Sequence, residues 1–203
     1  MFKFFLDTSA LIRLSRLEGR ELEEFRTRFN SINAELIVTH VAVDEATFDL
    51  KFEGEISKTG KEVQEYKEKI DNALEALRSK GIRVTVETTN ITICGISRCG
   101  FSSLATQDIG QAYDELWKEI HACEKAKGKS KDPLNVKRDA VIGVSPLEYS
   151  FLITTDQCLC DSFNEIMKKH KDLIERVMTP KAKDAKRSPE GVADCILEVL
   201  SNK

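Results

Sequence analysis

Three aspartates in this chain interrupt apolar runs. Asp7 follows Phe2-Lys3-Phe4-Phe5-Leu6, Asp156 follows Phe151-Leu152-Ile153-Thr154-Thr155, and Asp139 precedes Ala140-Val141-Ile142. One aspartate after a strand is ordinarily a loop or helix-cap residue. Three acids at strand ends or beside them ask for more, because like charges gathered in one place repel and raise each other's pKa. A hard, oxygen-loving cation relieves that repulsion, and Mg²⁺ or Mn²⁺ suits carboxylate and water ligands. Asp7, Asp139 and Asp156 are therefore expected to converge on a divalent metal.

The elements that must position them follow from periodicity. Phe2 to Leu6 reads as a buried strand, and Ser9 as the N-cap of a helix carrying Ala10, Leu11, Leu14 and Leu17. Gly19 breaks the chain before a helical stretch from Glu21 to about Asn30. Glu35 to Thr39 makes a second short strand, and Val41 to Lys51 resumes helical spacing. The clearest helix runs from Ile56 to Lys80, where Val63, Tyr66, Ile70, Leu74 and Leu77 recur every three or four residues and Gly81 stands at the C-terminal cap. Ile82 to Val86 alternates as a strand, with Ile91 to Ile93 as a hairpin partner across Thr88-Thr89-Asn90. A helix from Gln107 to Lys125 leads into a lysine-rich loop ending at Lys131. Asp132-Pro133 starts the next helix, Asp as cap and Pro at the first helical position, and that helix fades near Pro146. Tyr149 to Thr154 is a buried strand that delivers Asp156. A helix from Asp161 to His170, a short strand from Leu173 to Val177, a charged connector from Lys181 to Arg187 and a final helix from Pro189 to Leu200 complete the pattern.

Strands alternating with helices imply an α/β fold of three layers, α/β/α, with a central parallel sheet. Sites in such sheets form outside the carboxyl ends of the strands, where Asp7 and Asp156 fall. Asp44-Glu45 follows the second strand within a few residues, and Asp139 lies in the helix that feeds the Asp156 strand. Gly143, one turn after Asp139 on the same face, leaves room for close approach of another group.

A chain of 203 residues fits one domain with elaborations, and 41% hydrophobic residues bury an ordinary core. The net charge of −3 offers no global positive field for coating nucleic acid. No segment reaches the roughly 20 apolar residues of a membrane-spanning helix, and the opening run stops at Asp7, too short for the apolar core of a signal peptide. The expectation is a cytoplasmic protein. Its six cysteines give C-x4-C and C-x-C spacings without a C-x2-C pair, and its three histidines are scattered. Zinc is not indicated, and the thiols are expected to be reduced and mostly buried.

The ordered set of motifs resembles that of PIN-domain nucleases, both toxin-type and archaeal-type. Phe4-Phe5-Leu6-Asp7-Thr8-Ser9-Ala10-Leu11-Ile12 looks like their opening motif, Asp139-Ala140-Val141-Ile142-Gly143-Val144 like their third acidic motif, and Phe151-Leu152-Ile153-Thr154-Thr155-Asp156 like the strand-Thr-Asp motif after it. The 17 positions from Asp139 to Asp156 agree with that order. Val41-Ala42-Val43-Asp44-Glu45-Ala46 fits the second motif less sharply. Asp44 and Glu45 point about 100° apart on a helix, and the family pattern favours Glu45. The resemblance runs from Met1 to about Val177. It implies a PIN-like domain over 1–180 with an inserted helical and β region at about 52–130, followed by a connector and helix over 181–203. The 94 positions from Glu45 to Asp139 exceed those of compact toxin-type members.

What the resemblance implies is metal-dependent hydrolysis of RNA phosphodiester bonds. Asp7, Glu45, Asp139 and Asp156 would hold Mg²⁺ or Mn²⁺, Ser9 and Thr155 would orient carboxylates or phosphate oxygens, and Asp161 or Asp44 would be a further acid. A phosphate backbone needs cations. Lys131, Lys137 and Arg138 stand just before Asp139, and Lys168, Lys169, His170 and Lys171 follow Asp156. Implied partners are RNA, an antitoxin or a ribosomal assembly factor, and a second copy of the chain, for which the Val63 to Leu77 stripe is a candidate surface. Competing chemistries lack their marks. Ser9 occupies the position where a haloacid-dehalogenase-type phosphatase needs a second Asp, a receiver domain's paired acids are missing, and neither G-x-x-x-x-G-K-[ST] nor G-x-G-x-x-G occurs. The alternative from another class is a PIN-like subunit that binds RNA or assembles with a partner while catalysing little.

Overall fold

Phe4, Phe5 and Leu6 are fully buried because β1 (Phe2–Leu6) is the middle strand of a five-stranded parallel sheet covered on both faces. In this computed structural model residues 2–39, 60–87, 91–92, 103–104, 107–128, 133–144, 151–169 and 181–201 are described. β1 is followed by α1 (Thr8–Leu14), α2 (Gly19–Ser31), β2 (Ala34–Thr39), α3 (Gly60–Ser79) and β3 (Val84–Glu87). After two short strands, β4 (Ile91–Thr92) and β5 (Ser103–Leu104), come α4 (Gln107–Ala126), α5 (Pro133–Val144), β6 (Phe151–Thr154), α6 (Gln157–Lys169), β7 (Lys181–Asp184) and α7 (Pro189–Ser201). The sheet order is β3-β2-β1-β6-β7. Helices α1, α2, α3 and α7 pack together on one face, and α4, α5 and α6 on the other. The three-layer α/β/α architecture expected from the alternation of elements is the one observed.

Several local expectations change. Asp7, not Ser9, caps α1: its backbone is extended and its side chain accepts from the Ala10 N–H. Helix α6 begins at Gln157 rather than Asp161, because Asp156 caps it in the same way. The charged segment expected as a connector is β7, an edge strand paired with β6 from Phe151↔Lys181 to Thr154↔Asp184. Its Lys-Ala-Lys-Asp alternation turns small Ala182 inward, and Asn164 of α6 covers the edge there, donating to the Ala182 carbonyl and accepting from its N–H, both at 3.0 Å. Among the described residues the expected hairpin pairing is not found: β4 pairs in parallel with β5, whereas β3 lies parallel to β2 at the other edge of the main sheet. A short alternating run fits an edge strand in either sense, so periodicity alone could not choose. Cys123 and Cys158 are joined in a disulfide, against the expectation of free thiols, while Cys160 and Cys195 are free. The expected helix over 41–51, the turn over 88–90, the cap at Asp132 and the strand over 173–177 lie outside the described residues.

Two glycines are set by their surroundings. A Cβ on Gly143 would stand 2.5 Å from Leu116 Cδ2 and 3.3 Å from Leu159 Cδ1, so the close approach foreseen there is that of α4 and α6 to α5. A Cβ on Gly191, in the first turn of α7, would meet Lys186 Cβ at 2.5 Å and the Lys186 carbonyl oxygen at 2.9 Å. Backbone cannot rotate aside as a side-chain end can. Gly191→Ala is therefore expected to lower stability by about 1–3 kcal/mol, read as a lower urea midpoint at unchanged slope. An unchanged midpoint would show that the α7 junction relaxes freely.

Candidate functional site

The parallel register decides which residues meet at the carboxyl edge of the sheet. Leu6 stands opposite Ile153, and the Asp7 N–H donates to the Ile153 carbonyl at 3.2 Å, so Asp7 and Thr154 leave the sheet side by side. Asp7 is only 6% exposed. Its Oδ1 accepts from Ala10 N–H at 2.6 Å and from the Ser9 hydroxyl at 2.9 Å, and its Oδ2 accepts from the Thr154 hydroxyl. Thr154 is fully buried, and the same hydroxyl oxygen accepts from the Asp156 N–H at 2.9 Å. Asp156 in turn turns Oδ1 onto the Cys158 and Leu159 N–H groups at 2.9 and 3.2 Å. Ser9 Oγ and Thr155 Oγ1 lie 2.6 Å apart and close the arrangement on its other side.

Burial is the main force on the Asp7 carboxyl and raises its pKa above the ordinary value. Hydrogen bonds from Thr154, Ala10 and Ser9 oppose it, and the nearby Asp156 charge adds to the rise. Two carboxylates within electrostatic reach are oxygen donors of the kind a hard divalent cation takes. Helix capping does not use it up. A carboxylate has about four acceptor sites, and Asp7 engages three donors among the described residues. Asp7 and Asp156 thus fit Mg²⁺ or Mn²⁺.

The other expected residues have different placements. Asp139 is half-buried on α5, which packs against α4 and against α6, the helix that Asp156 caps. Asp161 is exposed on α6 and accepts from Gln157 at 2.7 Å. Lys137 carries its ammonium 5.9 Å above the Trp117 ring, Arg138 belongs to α5, and Lys168 and Lys169 pair with Glu165 and Glu119 at 3.7 and 3.5 Å. Asp44, Glu45 and Lys131 lie outside the described residues.

Three residues were overlooked in the sequence. Thr154, rather than Thr155, contacts Asp7 directly, and adjacent threonines after a strand gave no means to choose. Glu124 on α4 is 3% exposed, and its carboxylate comes within 4.8 Å of the ligand atoms of Asp156 and Cys158. Its signal was there: Leu116, Ile120 and Glu124 recur every four residues, so an acid sits on an apolar stripe. Asp184 ends β7 opposite Thr154. Although its side chain reaches solvent, its pKa is raised, first by partial burial and then by the charges of Asp161 and Asp156, against the opposing pull of Arg187 and Lys127. Reading 181–187 as a connector hid it. No protein-family model matches the chain, and no curated protein matches it. No helix among the described residues is long and apolar enough to cross a membrane.

Proposed function

We propose that this protein is a divalent-metal-dependent endoribonuclease with a PIN-type acidic centre. The observation that carries the reading is the Thr154 hydroxyl, which joins the Asp7 carboxylate to the Asp156 backbone at the carboxyl ends of β1 and β6. A bound Mg²⁺ or Mn²⁺ would supply a water of lowered pKa and stabilise charge on the phosphate. The chain's own residues do the rest. Asp7 and Asp156 hold the cation, with Asp139 and Glu45 as the remaining acids of the proposed set. Thr154 and Ser9 fix the Asp7 carboxylate in one rotamer, and the α6 N–H groups fix Asp156. The reading carries with it RNA as substrate, the cytoplasm as compartment, and an antitoxin, a ribosomal factor or a second copy as partner.

Both carboxylates also cap helices, and that role would be kept by a PIN-like RNA-binding or assembly subunit that catalyses little. Asp156→Asn separates the two readings, because asparagine caps a helix about as well as aspartate but is a poor ligand for Mg²⁺. Unstructured RNA incubated with Mn²⁺ is expected to be cut by the wild type, spared when a chelator is added, and spared by a folded Asp156→Asn. Equal inertness of both proteins across several RNAs and metals would sink the catalytic reading in favour of the subunit.

A further inference from the structure

The disulfide lies against the acidic centre, and its two sulfurs are not the only metal-binding groups there. Cys123 and Glu124 are neighbours near the end of α4, and Asp156 and Cys158 open α6. The ligand atoms of Glu124, Asp156 and Cys158 lie within 4.8 Å of one another, and Cys123 Sγ is bonded to Cys158 Sγ. We propose that reduction of this disulfide creates a second metal site, Cys123-Glu124-Asp156-Cys158, for a borderline-soft cation of the Zn²⁺ class.

For Glu124, Asp156 and Cys158 the geometry needs little adjustment, and reduction frees the Cys123 sulfur to move off Cys158. Tetrahedral Zn²⁺ bonds of about 2.0–2.3 Å place ligand atoms about 3.3–3.8 Å apart. The three groups are within about an ångström of that spacing, a distance that side-chain rotation covers. The chemistry chooses the metal, since two thiolates turn an oxygen site that suits Mg²⁺ into one that prefers a softer ion. Glu124 is nearly buried, and its carboxylate offers an oxygen ligand beside Asp156 and the Cys158 sulfur. A dithiol reductant attacks the half-buried Cys123 sulfur, the Cys123–Cys158 bond breaks, and a mixed disulfide forms. The second thiol of the reductant then releases Cys123 and leaves as a disulfide, having given two electrons and two protons. Binding of the cation sends the two thiol protons to solvent. Cysteine spacing along the chain could not reveal such a site, because its sulfurs are 35 residues apart.

The set shares Asp156 with the proposed nuclease centre but does not depend on that reading. The test uses the whole protein, reduced with a dithiol, freed of reductant without air, and titrated with Co²⁺ as a spectroscopic stand-in for Zn²⁺. One equivalent is expected to give the intense near-ultraviolet sulfur-to-cobalt charge-transfer band, and Zn²⁺ to erase it. The oxidised protein is expected to give none. Cys123→Ser and Cys158→Ser are expected to abolish the band, and Glu124→Gln to weaken Co²⁺ binding at least about 10-fold. Circular dichroism identifies any variant that fails to fold, and Cys123→Ser, at the less buried position, then carries the test. No band in the reduced wild type, an equal band in the oxidised protein, or a band that survives in Cys123→Ser would each overturn the proposal. The RNA assay separates the two ideas. Cleavage with Mn²⁺ but no cobalt band removes only the thiolate site, and a cobalt band without any cleavage removes only the nuclease.

Discussion

Asp7→Asn is expected to lower Mn²⁺-dependent RNA cleavage by about 10³-fold or more, the several kcal/mol of charge stabilisation that a well-placed metal provides. In metal-free buffer at neutral pH the same variant is expected to be at least as stable as the wild type. Asparagine keeps the α1 cap with its oxygen, its amide N–H donates to the Thr154 oxygen in place of the bond that hydroxyl gave Asp7, and it removes a charge from a site that is 6% exposed. The sign follows from linkage. The folded-state pKa of Asp7 is raised, chiefly by burial, so the folded protein holds this proton more tightly than the unfolded chain does. Stability from this group is full below the unfolded value of about 3.9 and is lost as pH rises through the folded value. The stability difference in favour of Asp7→Asn should therefore open above about pH 4 and level off once folded Asp7 has ionised. Urea melts of both proteins across that range, beside the cleavage assay, check both halves. A folded Asp7→Asn that cuts RNA at the wild-type rate would remove Asp7 from the metal set. A variant clearly less stable than the wild type at neutral pH would refute the desolvation argument.

Thr154→Val is the second large effect. Valine has nearly the shape of threonine, so the change removes one oxygen and little volume. That oxygen holds two groups at once, donating to Asp7 Oδ2 and accepting from the Asp156 N–H in a fully buried position. Each orphaned group costs about 1–3 kcal/mol, so a loss of about 2–5 kcal/mol is expected in urea unfolding. Cleavage should fall about 10–100-fold, the usual effect of removing a group that orients a metal ligand. Thr154→Ser keeps the oxygen and should recover most of both. A Val variant with wild-type stability would mean that Asp7 and Asp156 are held apart from this hydroxyl.

The sheet was legible because β1, β2 and β6 are dense apolar runs, and the acids that end β1 and β6 stand out against them. That Asp7 and Asp156 follow neighbouring strands at one edge of the sheet needed only the rule that parallel strands place their carboxyl ends together. What stayed hidden has one cause in each case. β7 carries a single small inward residue, Ala182, so its hydrophobic signal is nearly nil and Asp184 went with it. Glu124 belongs to a helix whose partner is decided by tertiary packing, and nothing local says that its carboxylate meets α6. Helix capping by Asp7 and Asp156 was foreseeable from the residue type, but Ser9, an equally good capping residue, competed for the same helix start. The disulfide joins residues whose proximity depends on α4 and α6 lying side by side.

That bridge also makes 123–158 a covalent ring, with α5 and β6 as its contents and both of its ends fastened beside Asp156. A closed loop of this length limits the unfolded chain by about 4 kcal/mol of entropy. In the oxidised molecule the helix that carries Asp139 therefore lies within a closed loop of chain rather than an open one. Reduction opens the ring, and the ends of α4 and α6 then stand side by side by packing, without a covalent link between them.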